Sequence, residues 1–556
     1  MLRWEVKSEF DRSRSIVEQI LENRGIVSEE EKKAFLNPPA VSEFVSKLPN
    51  EFKVSLKNAK DIVGDAMRSE LPIIIHGDYD ADGISATAIL YKTLKNELKY
   101  EHTYYFIPNR FDHGYGLSTE SIDEVIKMLA ELGYAMKDGG LFITVDSGIT
   151  AVEPVNYIKS LGFKVIITDH HQRPEDLPEA DCIVWYDQVV GSSIAWLLSR
   201  VLGSKDPQTM SLAAVATVTD LQPVLGFNRS IVKRGLEILN TNPVLGLRKL
   251  LDVAGRSNDE IDTYDLGWVI GPRLNASGRL VEAQESLRLL LEDDESRANS
   301  LAQRLNAVNN DRQDKTLEMY DIAADVGGGE TLPKIIISAH NDYHEGVIGL
   351  VAARLTQKFY RPSIVISLHD GYGKGSVRSI AGVDIISLLR EFEDLFDNLG
   401  GHPMAAGFTI KSENITVLKD KLLELAETSI EEHQFQRVLS IDLTIPVKVI
   451  NNDLLEELNT LKPFGLGNDE PVFMSSNLGV VSTDWVGKEG KHLVLKLFDG
   501  NNTYKAIYFN AGDFDVSVNV GDKVDVAYTL KKNFFNGKTY IDLVIKAIKA
   551  DFGRLT

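Results

Sequence analysis

The run HGDYDADG sets His76, Asp78, Asp80 and Asp82 at alternate positions, directly after the apolar LPIII. Alternating carboxylates beside an imidazole are donors for a divalent cation. An EF-hand loop also begins D-x-D-x-D-G, but it needs a bidentate Glu at its twelfth position, which counted from Asp78 is Ile89. The element before it also reads as a strand, so the EF-hand is rejected. Taken alone, the run is no more than a solvated acidic turn. Three further groups share its setting, however. FITVDSG supplies Asp146, VIITDHH supplies Asp169, His170 and His171, and AAVATVTDLQP supplies Asp220, each at or one residue beyond an apolar run. Strand ends in one parallel sheet converge on a common crevice, so the four groups are expected to meet there.

Such convergence needs a particular framework. From Leu71 the β-rich runs PIII, LFITV, FKVIIT and DCIVWY alternate with amphipathic stretches, the pattern of a parallel sheet with crossover helices. The first seventy or so residues read as helices, in SIVEQILENRG and SEEEKKAFL, with Ser28 and Glu31 forming a capping box. A polar, Leu-spaced stretch from Val281 to about Ala324 reads as one long connecting helix. A second α/β unit opens at KIIISAH and continues through PSIVIS, GKGSVRSIAG and NLGGHPMAAGF, its glycines expected in loops. The tail is strand-like, with an Asn536–Gly537 hairpin signal, and fits a small β-barrel of the OB type. The fold class is therefore α/β with a C-terminal OB-like barrel. The expected domains are 1–280 (N-terminal helices and catalytic sheet), 281–325 (connecting helix), 326–430 (substrate-binding α/β) and 431–556 (OB-like).

A chain of 556 residues, 43% apolar, can bury more than one core. Its net charge of −21 argues against a uniformly basic nucleic-acid surface. The acidity is not even, because after Val480 there are 11 basic and 9 acidic residues. Within that tail Lys531, Lys532, Phe534, Phe535, Lys538 and Tyr540 interleave cations with aromatic rings around the hairpin, the combination that tracks a phosphate backbone while stacking bases. Strand alternation turns about half of any such set inward. The lone Cys182, the charged N-terminus and the lack of a membrane-length apolar run give a cytoplasmic, membrane-free monomer as the expectation.

The ordered set DxDADG, VDSG, TDHH, TxTD resembles the DHH phosphoesterase superfamily. The resemblance implies a site for two metal ions: His76 and Asp80 on one, Asp82, His170 and Asp220 on the other, Asp146 bridging, and His171 facing the scissile phosphate. Asp78 and Asp169 are left as ligands or as supporting partners. Carboxylates with a minority of imidazole favour Mn²⁺ or Mg²⁺ over zinc, and phosphodiester hydrolysis is the natural reaction. Within the superfamily the segments IPNRFDHGYGL, GPRLNASGRL and PFGLGNDEPVF, with the β-rich tail, resemble the RecJ family from near Trp4 to about Ile545.

That resemblance implies a single-strand-specific, 5′-to-3′ DNA exonuclease of repair and recombination, with single-stranded DNA as substrate and a helicase and single-strand-binding protein as partners. GSVRS and GGHPMAAGF resemble the DHH-associated domain, which implies phosphate contacts from a glycine-flanked loop at Ser376 and Arg378, and from His402 at the scissile group. Arg110 and Arg279 would read the 5′ end, Asn275 would contact substrate, and Tyr115 would stack a base. His344 is assigned as a helix cap. VWYDQVVGSSIAW departs from the Asn-Pro-Lys type stretch usual after the DHH strand, which leaves Trp185 to Gly191 without a role. The alternatives are a short-oligonucleotide or cyclic-dinucleotide phosphodiesterase, and a non-catalytic replication scaffold. The scaffold needs eroded metal ligands, whereas all six are present.

Overall fold

Arg-Trp-Glu-Val-Lys-Ser-Glu alternates charged with apolar or small residues, the period of a strand, and the chain opens on β1 (Arg3–Glu9) rather than on a helix. The computed structural model describes residues 2–114, 116–257, 259–325, 332–513, 516–535 and 538–550, and the side chains of all of these except Met136, Asp513, Phe534, Phe535, Lys538 and Thr539. The expected helices follow at Ile16–Asn23 and Glu29–Leu36, the second with the Ser28/Glu31 capping box in place.

Two compact units are formed. The first holds the catalytic motifs and comprises Val41–Pro223 and Ser230–Arg437. Its first sheet contains β2 (Ile73–His76), β3 (Thr103–Phe106), β4 (Gly140–Val145), β5 (Phe163–Asp169) and β6 (Cys182–Trp185), all parallel, in the order β3-β2-β4-β5-β6. The order reverses at β2, which leaves a crevice beyond the carboxyl ends of β2 and β4. The helix Ala81–Tyr91 follows the β2 loop and is buried on every side. Its small, apolar sequence ADGISATAILY suits that enclosure, because it has no polar face to leave in water.

The second sheet of this unit contains β7 (Ile336–His340), β8 (Ser363–His369), β9 (Tyr372–Arg378), β10 (Phe396–His402) and β11 (Ala405–Lys411) in the order β10-β11-β9-β8-β7. Only β7 and β8 run parallel. Of the glycines expected in loops, Gly382 lies in a turn, but Gly373, Gly375, Gly400, Gly401 and Gly407 lie inside β9, β10 and β11. Gly375 makes room for a ring, since a Cβ there would meet Phe408 Cζ at 2.1 Å. The connector is two helices, Gln284–Leu291 and Glu295–Ala324, with Asp294 capping the second through a 2.9 Å bond from Arg297 N.

The other unit comprises Met1–Ala40, Val224–Arg229 and Val438–Thr556. The first forty residues therefore fold with the barrel, not with the catalytic sheet as the expected 1–280 domain had it. Its strands are β1, β12 (Val438–Thr444), β13 (Phe473–Val486), β14 (His492–Phe498), β15 (Thr503–Tyr508), β16 (Lys523–Phe535) and β17 (Lys538–Ala550). Pairing of β13 with both β14 and β16 closes the last five into an OB barrel, while β1 and β12 extend β13 in parallel. Arg229 ties this unit together: its buried guanidinium donates to the carbonyls of Phe35, Leu461, Lys462 and Pro463 and stacks on the Phe35 ring. The Asn536–Gly537 turn lies outside the described residues.

Candidate metal centre

Each acidic residue reaches the crevice by a different local device. Asp80 is the N-cap of the Ala81–Tyr91 helix, accepting from Asp82 N at 2.9 Å and Gly83 N at 3.1 Å. Gly83 backs directly onto Asp78, where a Cβ would approach the Asp78 backbone to 2.6 Å. Asp146 follows β4 with φ of 60°, a left-handed conformation that an Asp holds only when its surroundings over-determine it. Asp220 does not end a strand: it is the C-cap of the Gln208–Thr219 helix. Four groups still converge, three from strand ends and one from a helix end.

His170 is the hub. Its Nε2 lies 3.0 Å from Asp146 Oδ1, 3.6 Å from Asp82 Oδ2 and 3.7 Å from Asp220 Oδ2. Ligand atoms gather within 4.8 Å of one another in three overlapping groups: Asp82, His170 and Asp220; Asp78, Asp80 and Asp146; Asp146, His170 and His171. The first repeats one expected ligand set. The second has Asp78 where His76 was expected. His76 joins none of these groups; its ring stacks on Phe106, its Nε2 is 3.1 Å from Ser121 Oγ, and its buried Nδ1 has no hydrogen-bond partner. Burial holds the His76 imidazole neutral, its pKa lowered to about 3.

Asp169 takes a supporting part. Its Oδ1 accepts from the amides of His170 and His171 at 2.7 and 3.0 Å and lies 2.8 Å from His171 Nδ1, while its Oδ2 accepts from Ile149 N at 2.9 Å. Burial opposes charge on His171, but the Asp169 carboxylate prevails and holds the imidazole pKa up at about 9. The segment that departs from the family pattern also has a place. Gly191 N and Ser192 N, which open the Gly191–Leu202 helix, each donate to Asp82 at 2.7 Å, and Trp185 Nε1 donates to His171 O at 2.7 Å.

The donor set fits cations. Among the described residues Asp78, Asp80, Asp82, Asp146 and Asp220 make no ion pair with Lys or Arg, and Asp78 Oδ1 is buried with no hydrogen-bond partner. Burial first, then the neighbouring Asp80, pushes Asp78 up to about 8; burial, then Asp82 and Asp80, does the same to Asp220. Asp146 is driven well above the ordinary carboxylate range for the same reasons. Buried oxygen donors that repel one another, with one or two imidazoles, suit Mn²⁺ or Mg²⁺.

This imbalance has a thermodynamic consequence. The unfolded Asp78 ionises near its ordinary value of 3.8, but the folded one stays protonated until about 8, so across that window the native state binds more protons and stability falls as pH rises. In chelator-treated protein the melting temperature is expected to drop between about pH 5 and pH 8, Asp78 alone contributing at most about 1.4 kcal/mol per pH unit. Mn²⁺ should restore more stability at the upper end. A melting temperature rising with pH in chelator would refute the repulsion.

Beyond the carboxylates lies a group of arginines. Arg110 Nη2 donates to Tyr79 OH at 3.0 Å and its guanidinium sits 4.4 Å over that ring. Arg279 is half-buried, its pKa lowered to about 10 by desolvation and by Arg110 and Arg312, and its Nη1 donates to Gly346 O at 3.3 Å. Asn275 is a scaffold contact: its Oδ1 accepts from Ala81 N at 2.7 Å. Ser376 and Arg378 are on β9, not in a loop. β9 is paired on both sides, so the hydroxyl and guanidinium, rather than strand amides, are what they offer. Both face the Ile348–Phe359 helix, where a Cβ on Gly349 would meet Ser376 Oγ at 3.1 Å and Arg378 Nη2 at 3.4 Å.

His402 ends β10, exposed, with Nδ1 accepting from Met404 N at 3.4 Å and no hydrogen bond or ion pair to the carboxylates. His344 accepts from Gly346 N at 3.1 Å in the turn before the Ile348–Phe359 helix, whose N-cap is Val347. Tyr115 lies outside the described residues, as do the side chains of Phe534, Phe535 and Lys538. In the barrel Lys531 and Tyr540 are exposed, while Lys532 reaches Glu456 at 3.6 Å. Exposed Trp485 and Phe509 are aromatic surface that the hairpin reading missed.

Comparison with known proteins agrees with this division. Residues 72–219 match the DHH family, N-terminal domain; 332–428 match the DHHA1 domain; and 441–547 match the RecJ OB domain. The single-stranded-DNA-specific exonuclease RecJ of Bacillus subtilis is 32% identical over 98% of this chain and 70% of its own length, and that of Haemophilus influenzae is 30% identical over 90% and 91%. The crystal structure of Thermus thermophilus RecJ in complex with Mn²⁺ superposes with a TM-score of 0.82 at 27% identity, covering 99% of this chain and 79% of that one. With three domain matches in the same order, and relatives above the identity at which family membership is secure, the chain belongs to the RecJ family.

Proposed function

We propose that the chain hydrolyses single-stranded DNA from the 5′ end with the help of two Mn²⁺ or Mg²⁺ ions, releasing nucleotides during repair and recombination. One observation carries the reading: a knot of mostly buried carboxylates lies beside arginines that, among the described residues, form no ion pair with an acid. The first can bind cations and the second a terminal phosphate. Asp82, His170 and Asp220 would hold one ion and Asp78 and Asp80 the other, with Asp146 between them. Bound there, the ions would generate a nucleophile from water and neutralise the oxygens of an in-line displacement at phosphorus.

The protein's own groups divide the remaining work. Asp169 fixes the His171 ring through Nδ1, and His171 would face the scissile phosphate. Gly191 N and Ser192 N hold the two oxygens of Asp82 in place. Arg110, Arg279, Ser376 and Arg378 would close the path beyond one nucleotide, so a strand enters by its end. The OB barrel, with Lys531 and Tyr540 exposed, suits a grip on a single strand. No described helix is long and apolar enough to cross a membrane. The reading places the enzyme in the cytoplasm as a monomer, fed by a helicase and a single-strand-binding protein.

Strands labelled at either end, single or duplex, with Mn²⁺ or Mg²⁺, test this directly: mononucleotides should appear from 5′ ends of single strands only. Release from 3′ ends would overturn the polarity. The same strands titrated across salt concentrations test the barrel's share of binding. Arg279→Ala should raise KM for 5′-phosphorylated strands roughly 10- to 100-fold while changing kcat less, because the lost contact is charge-assisted and remote from the bond cut. An equal KM for phosphorylated and unphosphorylated ends in the parent protein would remove Arg279 from this role.

A further inference from the structure

We propose that Trp268, with Tyr264 stacked on it, is a base-stacking platform for the strand on the 3′ side of the bond cut, held at a fixed distance from the 5′-end anchor by one helix. The proposal rests on the reading that the 5′ end lies at Arg279. Trp268 is 71% exposed and Tyr264 62%, and their rings stack at 6.3 Å and 28°. A single exposed aromatic on a surface needs no explanation. Two that stack on each other rather than on the core present a flat ring to solvent, and every nucleobase has a face that matches it.

Their position ties them to the 5′-end anchor. The two rings lie at the π-helical turn Asp265–Ile270, which runs straight into the helix Gly271–Leu280. Positions 268, 272, 275 and 279 are spaced by four, three and four, so Trp268, Pro272, Asn275 and Arg279 fall on one stripe. Asn275 on that stripe is hydrogen-bonded to Ala81 of the metal loop, and Arg279 stands among the 5′-end arginines. At the other end a Cβ on Gly271 would meet Thr219 Cγ2 at 2.2 Å, and one on Gly267 would meet Val218 Cγ1 at 3.5 Å. Both contacts are to the last turn before Asp220. The helix therefore runs alongside the carboxylates, with the phosphate anchor at one end and the indole at the other.

Charge follows the same path. Arg273 donates to Asn306 Oδ1 at 3.0 Å and Val269 O at 2.8 Å, and Arg312 to Asn309 Oδ1 at 3.2 Å; among the described residues neither pairs with a carboxylate. Their unneutralised charge favours a phosphate backbone laid along the helix. From residue 268 to residue 279 is eleven steps, or roughly 16 Å at about 1.5 Å per residue. A strand advances about 3.4 Å per nucleotide when stacked and more when stretched, which sets the platform roughly three to five nucleotides from the 5′ end.

The test places 2-aminopurine at successive positions of a 5′-phosphorylated single strand and reads its fluorescence on the full chain in chelator, so that nothing is cut. Quenching should peak roughly three to five nucleotides from the 5′ phosphate, disappear in Trp268→Ala and persist in Trp268→Phe. In the metal-loaded enzyme, the ratio of kcat/KM for long strands to that for a 5′-phosphorylated dinucleotide should fall about 5- to 140-fold in Trp268→Ala, the worth of one stacked base. Uniform quenching along the strand, quenching unchanged in Trp268→Ala, or an unchanged ratio would overturn the platform. Digestion from the 3′ end by the unaltered protein would instead overturn the polarity reading, because the quench reports stacking whichever end is cut.

Discussion

Asp146→Ala is expected to lower hydrolysis of single strands roughly a thousandfold or more, the scale of losing a group that positions metal ions and nucleophile together. Asp146 belongs to two of the three ligand groups, and its Oδ1 is 3.0 Å from the His170 hub, so no neighbour replaces it. The variant should nevertheless fold. Its carboxylate is buried and pushed well above its ordinary pKa by desolvation and by Asp82, so removing it relieves repulsion in the metal-free protein. Chelator-treated Asp146→Ala should therefore melt no lower than the parent near neutral pH, while the rise in melting temperature on adding Mn²⁺ should shrink. A folded variant with turnover within about tenfold of the parent, still dependent on metal, would rule out Asp146 as the group shared by both ions.

The parts of this site that lie on strands are legible in the sequence. Apolar runs such as IIIH and LFITV are buried along their whole length, and the acids just beyond them, Asp78 and Asp146, reach the crevice. Asp220 was found for an incomplete reason. AAVATVT is apolar because its helix is enclosed on nearly every side, and an enclosed helix has no polar face to reveal its period, so it passes for a strand. The glycines of β9 and β11 misled in the opposite direction. They look like turn residues, but Gly375 is small because the Phe408 ring occupies the space of a side chain, a partner thirty-three positions away. β1 is visible in the alternation of Arg3–Glu9, although the stretch after it is helical.

What local pattern could not supply was the second layer around the metal residues. Asp169 had no certain role until its four contacts were seen, and they make it the residue that orients His171. Arg273, Arg312 and Trp268 sit in stretches that read as ordinary helix, and only the fold, which sets Trp268 on one stripe with Arg279 and brings Arg273 and Arg312 up without a carboxylate partner among the described residues, gives them meaning. The segment from Trp185 to Gly191 looked like a departure from the family. In the fold it begins with an indole bonded to the His171 carbonyl and leads into the Gly191 and Ser192 amides that grip Asp82, so the altered stretch supports the metal residues.

Gly191→Ala turns that last point into a measurement. The amide of Gly191 and the carboxylate of Asp82 are 109 positions apart in the chain yet 2.7 Å apart in space, and the opposite side of Gly191 faces Asp146. A methyl group there would lie 2.6 Å from Asp146 Cβ and 2.7 Å from its Oδ1, closer than any carbon can rest, and the obstruction includes the Asp146 Cα at 2.8 Å. Asp146 cannot swing away, because its backbone is already in the left-handed region and its amide is bonded to Thr168 O at 2.9 Å. The helix that begins at Gly191 must shift instead, and it carries with it both amides that position Asp82. A displacement of about 1 Å at reacting groups can cost on the order of a hundredfold in rate. Gly191→Ala should therefore lose roughly a hundredfold or more in kcat while its KM for long strands changes little, since the 5′-end arginines and the barrel are untouched. Gly203→Ala is the matched control: it lies at the other end of the same helix with open space around it, and it should affect stability through its φ of 111° rather than turnover. Near-parental kcat in Gly191→Ala, with metal affinity unaltered, would mean that this helix merely packs behind the site and does not hold it.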